Sequence, residues 1–226
     1  MLYKETVTKE MWELLQRLMK DEKLKDFNLV GGTALSLMIG HRLSIDLDLF
    51  TTKDFDDQAM LAQLANQYPI KIREIHKNTM LLDIGSVKVD IISHKYPWQE
   101  PIQNEEGIRL VSLYDIGAMK LHAIFQNGTR IKDFVDMYFL LEHHPLKTYL
   151  EAYQNKYDGN PRLAALALMD HRNIDKEEKV KLLKGKETNW NKMTQRLKKA
   201  VFNPSISFSE SKNQIPPPNK GRGFRR

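Results

Sequence analysis

Cysteine is absent from this 226-residue chain. That removes disulfides, thiolate zinc sites and cysteine nucleophiles, and is compatible with a reducing compartment. No apolar run reaches the ~18 residues of a membrane-spanning helix, and residues 1–9 are polar rather than shaped like a signal peptide. The expectation is a cytoplasmic protein with no membrane partner. Internal repeats at solenoid periods are missing as well. What is present is ordinary for a soluble chain: 41% hydrophobic and 28% charged residues, enough for one substantial core or two small domains.

The net charge of +6 is unevenly spread. Residues 171–226 hold fifteen Lys/Arg against five acids, which leaves the first 170 residues net acidic. An acidic part followed by a basic part suggests a polyanionic partner such as RNA. A solvated helical surface with a disordered tail would account for the same charges.

Residues 31–50, GGTALSLMIGHRLSIDLDLF, carry the densest chemistry. Asp46 and Asp48 alternate with Ile45, Leu47 and Leu49, so on a strand the carboxylates share one face and the apolar residues the other. Two adjacent carboxylates raise each other's pKa unless a cation holds them, and oxygen-bound divalent cations are the common solution. Residues 27–30 read as a strand entering the Gly31-Gly32 turn, and 33–39 as a short helix. That places backbone amides and a helix N-terminus where an anion could sit.

Further strands are expected at 44–51, 70–76, 79–84 and 87–93, the last two joined by a Gly85-Ser86 turn. In the final strand Asp90 lies on the face opposite Val87, Val89 and Ile91. A helix capped by Thr8 precedes the first strand, and one capped by Asp54 runs towards Pro69. After Gly107 the pattern becomes helical: a helix from Ser112 to the Asn127-Gly128 stop, another from the cap Thr129, then segments at 146–157, 161–169, 175–183 and 189–201. The boundaries read as an α/β domain over 1–107, an all-α domain over 108–202 and a basic Pro/Gly-containing tail over 203–226 without assigned structure.

Three carboxylates at a sheet edge can hold two Mg²⁺ ions, the apparatus of phosphoryl or nucleotidyl transfer. In that scheme Asp46 and Asp48 bridge both ions and Asp90 binds the ion at the attacking oxygen. Gly31, Gly32 and Thr33 offer amides and a hydroxyl to a triphosphate. Lys120 or Arg130 meets the charge of the departing pyrophosphate, and Arg42 neutralises the acidic site or a phosphate. The plainer readings are a solvent-facing edge strand for the aspartates, a simple turn for the glycines, a surface pair for His41-Arg42, snorkelling for Lys120, and a structural ion-pair network for Arg130, Lys132, Asp133 and Asp136.

The string LVGGTALSLMIGHRLSIDLDLF resembles the first motif of the AbiEii/AbiGii toxin-type nucleotidyltransferases, within the DNA polymerase β-like superfamily. The later KLHAIFQNGTRIKDFVDMYFLL resembles a second segment of that family, and together the two span about the first two-thirds of the chain. The resemblance implies an α+β fold: a small mixed β-sheet with flanking helices, followed by a helical domain. It implies NTP and Mg²⁺, with Arg130, Lys132, Asp133 and Asp136 joining Lys120 and Arg42 at the nucleotide. In family members that act as toxins it implies nucleotide transfer onto tRNA, neutralised by a cognate antitoxin protein. Transfer to a small-molecule hydroxyl, as on an aminoglycoside, uses the same residues, and a non-catalytic binding module or a two-metal nuclease remains open beside it.

Overall fold

The computed structural model describes residues 1–175 and 177–209. Helix α1 (Lys9–Lys20) starts at Thr8, whose side chain accepts from the Met11 amide, and buries the stripe Met11, Leu14, Leu15 and Leu18. Strand β1 (Asn28–Val30) leads directly into α2 (Gly31–Ile39), then β2 (Asp46–Thr51) and α3 (Asp57–Gln67). Strands β3 (Ile70–His76), β4 (Thr79–Ile84) and β5 (Val87–Ser93) form an antiparallel meander. A short hairpin, β6 (Gln103–Glu105) and β7 (Ile108–Leu110), precedes the helices α4 (Leu113–Gln126), α5 (Ile131–Leu140), α6 (Leu146–Tyr157), α7 (Pro161–Ala167) and α8 (Trp190–Phe202).

The seven strands make one mixed sheet in the order β3-β4-β5-β2-β1-β7-β6. Strand β2 sits at its centre, antiparallel to β1 and parallel to β5. Its side chains alternate strictly: Leu47, Leu49 and Thr51 are buried, while Asp46, Asp48 and Phe50 are half-buried on the other face. One hydrophobic core runs from α1 through the sheet into α4, α5, α6 and α8.

Several expectations are revised. Strand β7 pairs with β1 through Leu29 and Leu110, so the sheet continues past Gly107 and the helical part begins after Leu110. Asp56, not Asp54, caps α3, accepting from the Ala59 amide at 3.0 Å; Asp54 is engaged by Lys95 and Asn78 instead. Helix α5 begins at Ile131, one residue after Arg130.

Among the described residues, 175–183 contain no helix. They form a strap held by main-chain bonds from the Asp175 amide to Thr129 and from the Leu43 amide to Lys181, continued by the Leu183 amide to His41. With three of its backbone partners on other segments, this stretch cannot close its own helical bonds. Residues 203–209 lack helix and strand but pack down, Pro204 accepting from the Lys147 amide and Phe208 lying against the core. The rest of the expected tail, 210–226, lies outside the described residues.

Candidate active site

The register of β2 against β5 sets Asp48 directly beside Asp90, with Asp46 two residues earlier on the same face. All three carboxylates line a cavity of about 350 Å³. Lys120, Arg130 and Lys132 reach the same cavity from α4 and the start of α5. A larger groove of about 620 Å³ between α6, α7 and Pro204 has none of these carboxylates, so size alone does not locate the chemistry.

The glycine pair is explained by close approach. Gly31 has φ +69°, and a Cβ there would collide with the Asp48 carboxylate; a Cβ at Gly32 would collide with the Arg42 guanidinium. No side chain caps α2, and Val30, Gly31 and Gly32 line the cavity at its N-terminus. Thr33 departs from expectation. Its hydroxyl is buried, bonded to the Ser44 hydroxyl and donating to the Asp46 carbonyl, so it fixes the turn to β2 and is not offered to a phosphate.

Asp133 and Asp136 also have a different task from the one expected. Asp136 is fully buried and receives His41 Nε2 at 2.8 Å, Arg42 Nε at 2.6 Å and Nη2 at 3.0 Å, and lies 2.6 Å from Lys120 Nζ. Asp133 takes Lys120 Nζ at 2.7 Å and Arg130 Nε at 2.9 Å. Neither acid lines the cavity; they hold the cations that do. Burial alone would raise Asp136, but Arg42 and Lys120 outweigh it and keep the carboxyl well below the usual range. Burial likewise acts to lower Lys120, and Asp133 and Asp136 reverse this, so its ammonium stays charged.

The three cavity carboxylates differ from one another. Lys132 Nζ stands 3.8 Å from Asp46 and 3.6 Å from Glu178 of the strap. Asp90 is held by Arg73, which also pairs with Asp83 at 3.0 Å. Arg73 was not anticipated: the β3–β4 register shifts between Ile72 and Glu74, and no sequence pattern announces such a bulge. Asp48 has no ion pair among the described residues. Burial pushes its carboxyl up to about 7, with the charges of Asp46 and Asp90 adding to the effect.

Comparison with known proteins gives the family and the fold. The family model for the AbiEii toxin nucleotidyl transferase, of the type IV toxin–antitoxin system, matches residues 13–209. The chain belongs to the AbiEii nucleotidyltransferase family. Within its wider relatives, the uncharacterized protein aq_aa25 of Aquifex aeolicus (strain VF5) is 34% identical over 155 residues, covering 66% of this chain and 75% of that one. A Helicobacter pylori protein assigned as a nucleotidyltransferase shares the fold, with a TM-score of 0.52, 20% identity, and coverage of 85% of this chain and 90% of that one. JHP933 from Helicobacter pylori aligns at 18% identity over 87% of this chain and 95% of its own, with a TM-score of 0.45. Among the described residues no helix is long and apolar enough to cross a membrane.

A nucleotidyltransferase fold implies a divalent cation, and the AbiEii carboxylates suit one chemically. They are hard oxygen donors on adjacent strands, and the raised Asp48 carboxyl shows how poorly the site tolerates its own charge. As the side chains stand, no three carboxylates or imidazoles among the described residues are close enough to share an ion. Arg73 and Lys132 occupy Asp90 and Asp46 instead. A cation binding here would compete with them.

Sequence reasoning also missed four rings that line the cavity, those of Phe50, His94, His122 and Tyr157. The β2 alternation would have placed Phe50 on the aspartate face. The others come from separate elements, which no local pattern joins.

Proposed function

We propose that this AbiEii-family protein is a Mg²⁺-dependent nucleotidyltransferase that moves NMP from NTP to a hydroxyl on RNA, with tRNA the expected acceptor. In this reading it is the toxin of a cytoplasmic toxin–antitoxin or abortive-infection system with a cognate antitoxin. The observation that carries the proposal is the shared cavity, where Asp46, Asp48 and Asp90 from the sheet meet Lys120 and Arg130 from the helices beside the Gly31-Gly32 turn.

The acceptor oxygen attacks the α-phosphorus of the NTP. One O–P bond forms, the bond to the β-phosphate oxygen breaks, pyrophosphate leaves, and the acceptor hydroxyl gives its proton to the carboxylate set. Asp46, Asp48 and Asp90 would hold Mg²⁺, which when bound would supply positive charge against the triphosphate and lower the pKa of the acceptor hydroxyl. Lys120, kept charged by two buried aspartates, and Arg130, oriented by Asp133, meet the charge that builds on pyrophosphate. Gly31 and Gly32 let the backbone at the N-terminus of α2 come close to phosphate oxygens. Exposed Lys179, Lys181 and Lys184 support an RNA acceptor, because they lie on or directly after the strap whose Glu178 stands 3.6 Å from Lys132 and whose main chain bonds to His41 and Leu43.

Incubation with labelled NTPs, Mg²⁺ and total tRNA tests this. Label is expected in RNA with release of pyrophosphate, and is lost in Asp46→Ala and Asp48→Ala. Absence of label from RNA, protein and small molecules alike, with wild type and variants indistinguishable, sinks the proposal. A second reading, a nucleotide-free binding module, is favoured by the pairing of Arg73 with Asp90 and of Lys132 with Asp46. Calorimetry with NTP and Mg²⁺ separates the two, since a module binds neither.

A further inference from the structure

Phe50, His94, His122 and Tyr157 line the same cavity as Asp48 and Asp90, yet the transfer chemistry leaves them without a task. Phe50 follows Asp48 by two residues on the same face of β2, about 7 Å along the strand. His122 follows Lys120 by two residues on α4, and Tyr157 is the last residue of α6. The His122 and Tyr157 rings stack face to face, 4.0 Å apart and within 5° of parallel. His94 Nε2 lies 3.0 Å from the Tyr157 hydroxyl, and its ring stands 5.6 Å from Phe50. Tyr96 packs on both His94 and Tyr157, at 4.8 and 4.7 Å.

Each of the four lining rings is half-buried, so ring surface stays open to the cavity. Hydrogen bonding does not explain His122, because its Nδ1 is buried with no partner; stacking holds the ring. Burial lowers His122, and pushes His94 down to about 4 with Lys156 and His122 adding to the effect. Burial thus disfavours the charged form of both imidazoles, and the rings offer π faces to the cavity. The cations lining the cavity are Arg42, Lys120, Arg130 and Lys132, whereas the rings complement a flat, uncharged group.

We propose that this aromatic wall is the base-binding subsite of the nucleotide, with His122, Tyr157, His94 and Phe50 forming the platform on which the nucleobase of the NTP stacks. The proposal rests on the nucleotidyltransferase reading of the same cavity. It divides the cavity into a charged part for the triphosphate and a neutral part for the base.

Calorimetry on the full chain tests it, with Mg²⁺ present and three probes: an NTP, base-free ribose 5′-triphosphate, and a short single-stranded RNA. Wild type is expected to bind the NTP about tenfold more tightly than the base-free analogue, the usual scale of one base stacking on aromatic side chains. His122→Ala removes most of that difference, and His122→Phe, which keeps a ring and discards both nitrogens, restores it. Affinity for ribose triphosphate stays the same in all three proteins, and thermal melts confirm that each is folded. Equal loss for NTP and base-free analogue overturns the platform, since the effect is then general damage to the site. Loss of RNA affinity with NTP binding unchanged also overturns it, assigning the rings to the acceptor. If NTP is bound and transferred normally by His122→Ala, the subsite falls while the proposed function stands. If wild type binds neither NTP nor ribose triphosphate, both fall.

Discussion

Replacing Asp48 by Asn removes a half-buried negative charge while keeping the shape of the side chain. In the folded protein the Asp48 carboxyl is raised from 3.8 to about 7, by burial first and then by Asp46 and Asp90. At ~1.4 kcal/mol per pKa unit, that shift corresponds to roughly 4 kcal/mol of stability withheld from the cation-free protein at high pH, an upper limit for one group. The sign follows from the direction. Well below pH 3.8 both folded and unfolded chains hold the proton and Asp48 makes no contribution. Between about 4 and 7 the unfolded chain ionises first, so wild-type stability falls as pH rises, and above about 7 the deficit levels off. Asn cannot titrate.

Urea unfolding in EDTA at several pH values between 4 and 8 is the assay. Asp48→Asn should match wild type at the acidic end and exceed it by a few kcal/mol at pH 8. Mg²⁺ should close that gap by stabilising wild type alone, because only the ionised carboxylate is a good ligand. Parallel pH profiles for the two proteins, or a variant less stable than wild type at pH 8, would refute the electrostatic argument.

Asp136→Ala strands Arg42 and Lys120 as buried charges short of a partner, and should destabilise the fold by about 3–5 kcal/mol, read as a lowered urea midpoint. Gly31→Ala adds a Cβ at φ +69° against Asp48; a loss of about 1–3 kcal/mol with loss of nucleotidyl transfer is expected, and wild-type activity would contradict the close-approach role. Arg73→Gln frees Asp90 from a competing cation, so half-saturation by Mg²⁺ should occur at a several-fold lower concentration; an unchanged titration argues that Arg73 and the metal do not compete. Lys179, Lys181 and Lys184 changed together to Glu should abolish labelling of tRNA and flatten the salt dependence of RNA binding, while calorimetric NTP affinity holds.

The sheet was largely legible because its signals are local. Period-two alternation in 46–51 and 87–93 sets Leu47, Leu49, Val89 and Ile91 into the core and turns Asp46, Asp48 and Asp90 the other way. The glycine pair before the helix could be read for the same reason: its φ and close packing are demands on two adjacent residues. Residues 175–183 misled because their composition suits a helix, while three of their backbone bonds go to Thr129, His41 and the amide of Leu43.

By itself the sequence determined which face of its strand each of Asp46, Asp48 and Asp90 occupies and where the glycine turn lies, since both follow from neighbours a few positions apart. Only the tertiary structure decided which charges line the cavity and which meet each other. Asp136 and Arg42, 94 positions apart, form a buried pair because α5 packs on α2 and the turn after it. The bulge at Arg73 and the aromatic wall drawn from β2, α4, α6 and the segment after β5 have the same origin. Pairings across such distances depend on how faces are packed together, and periodicity along the chain does not record that.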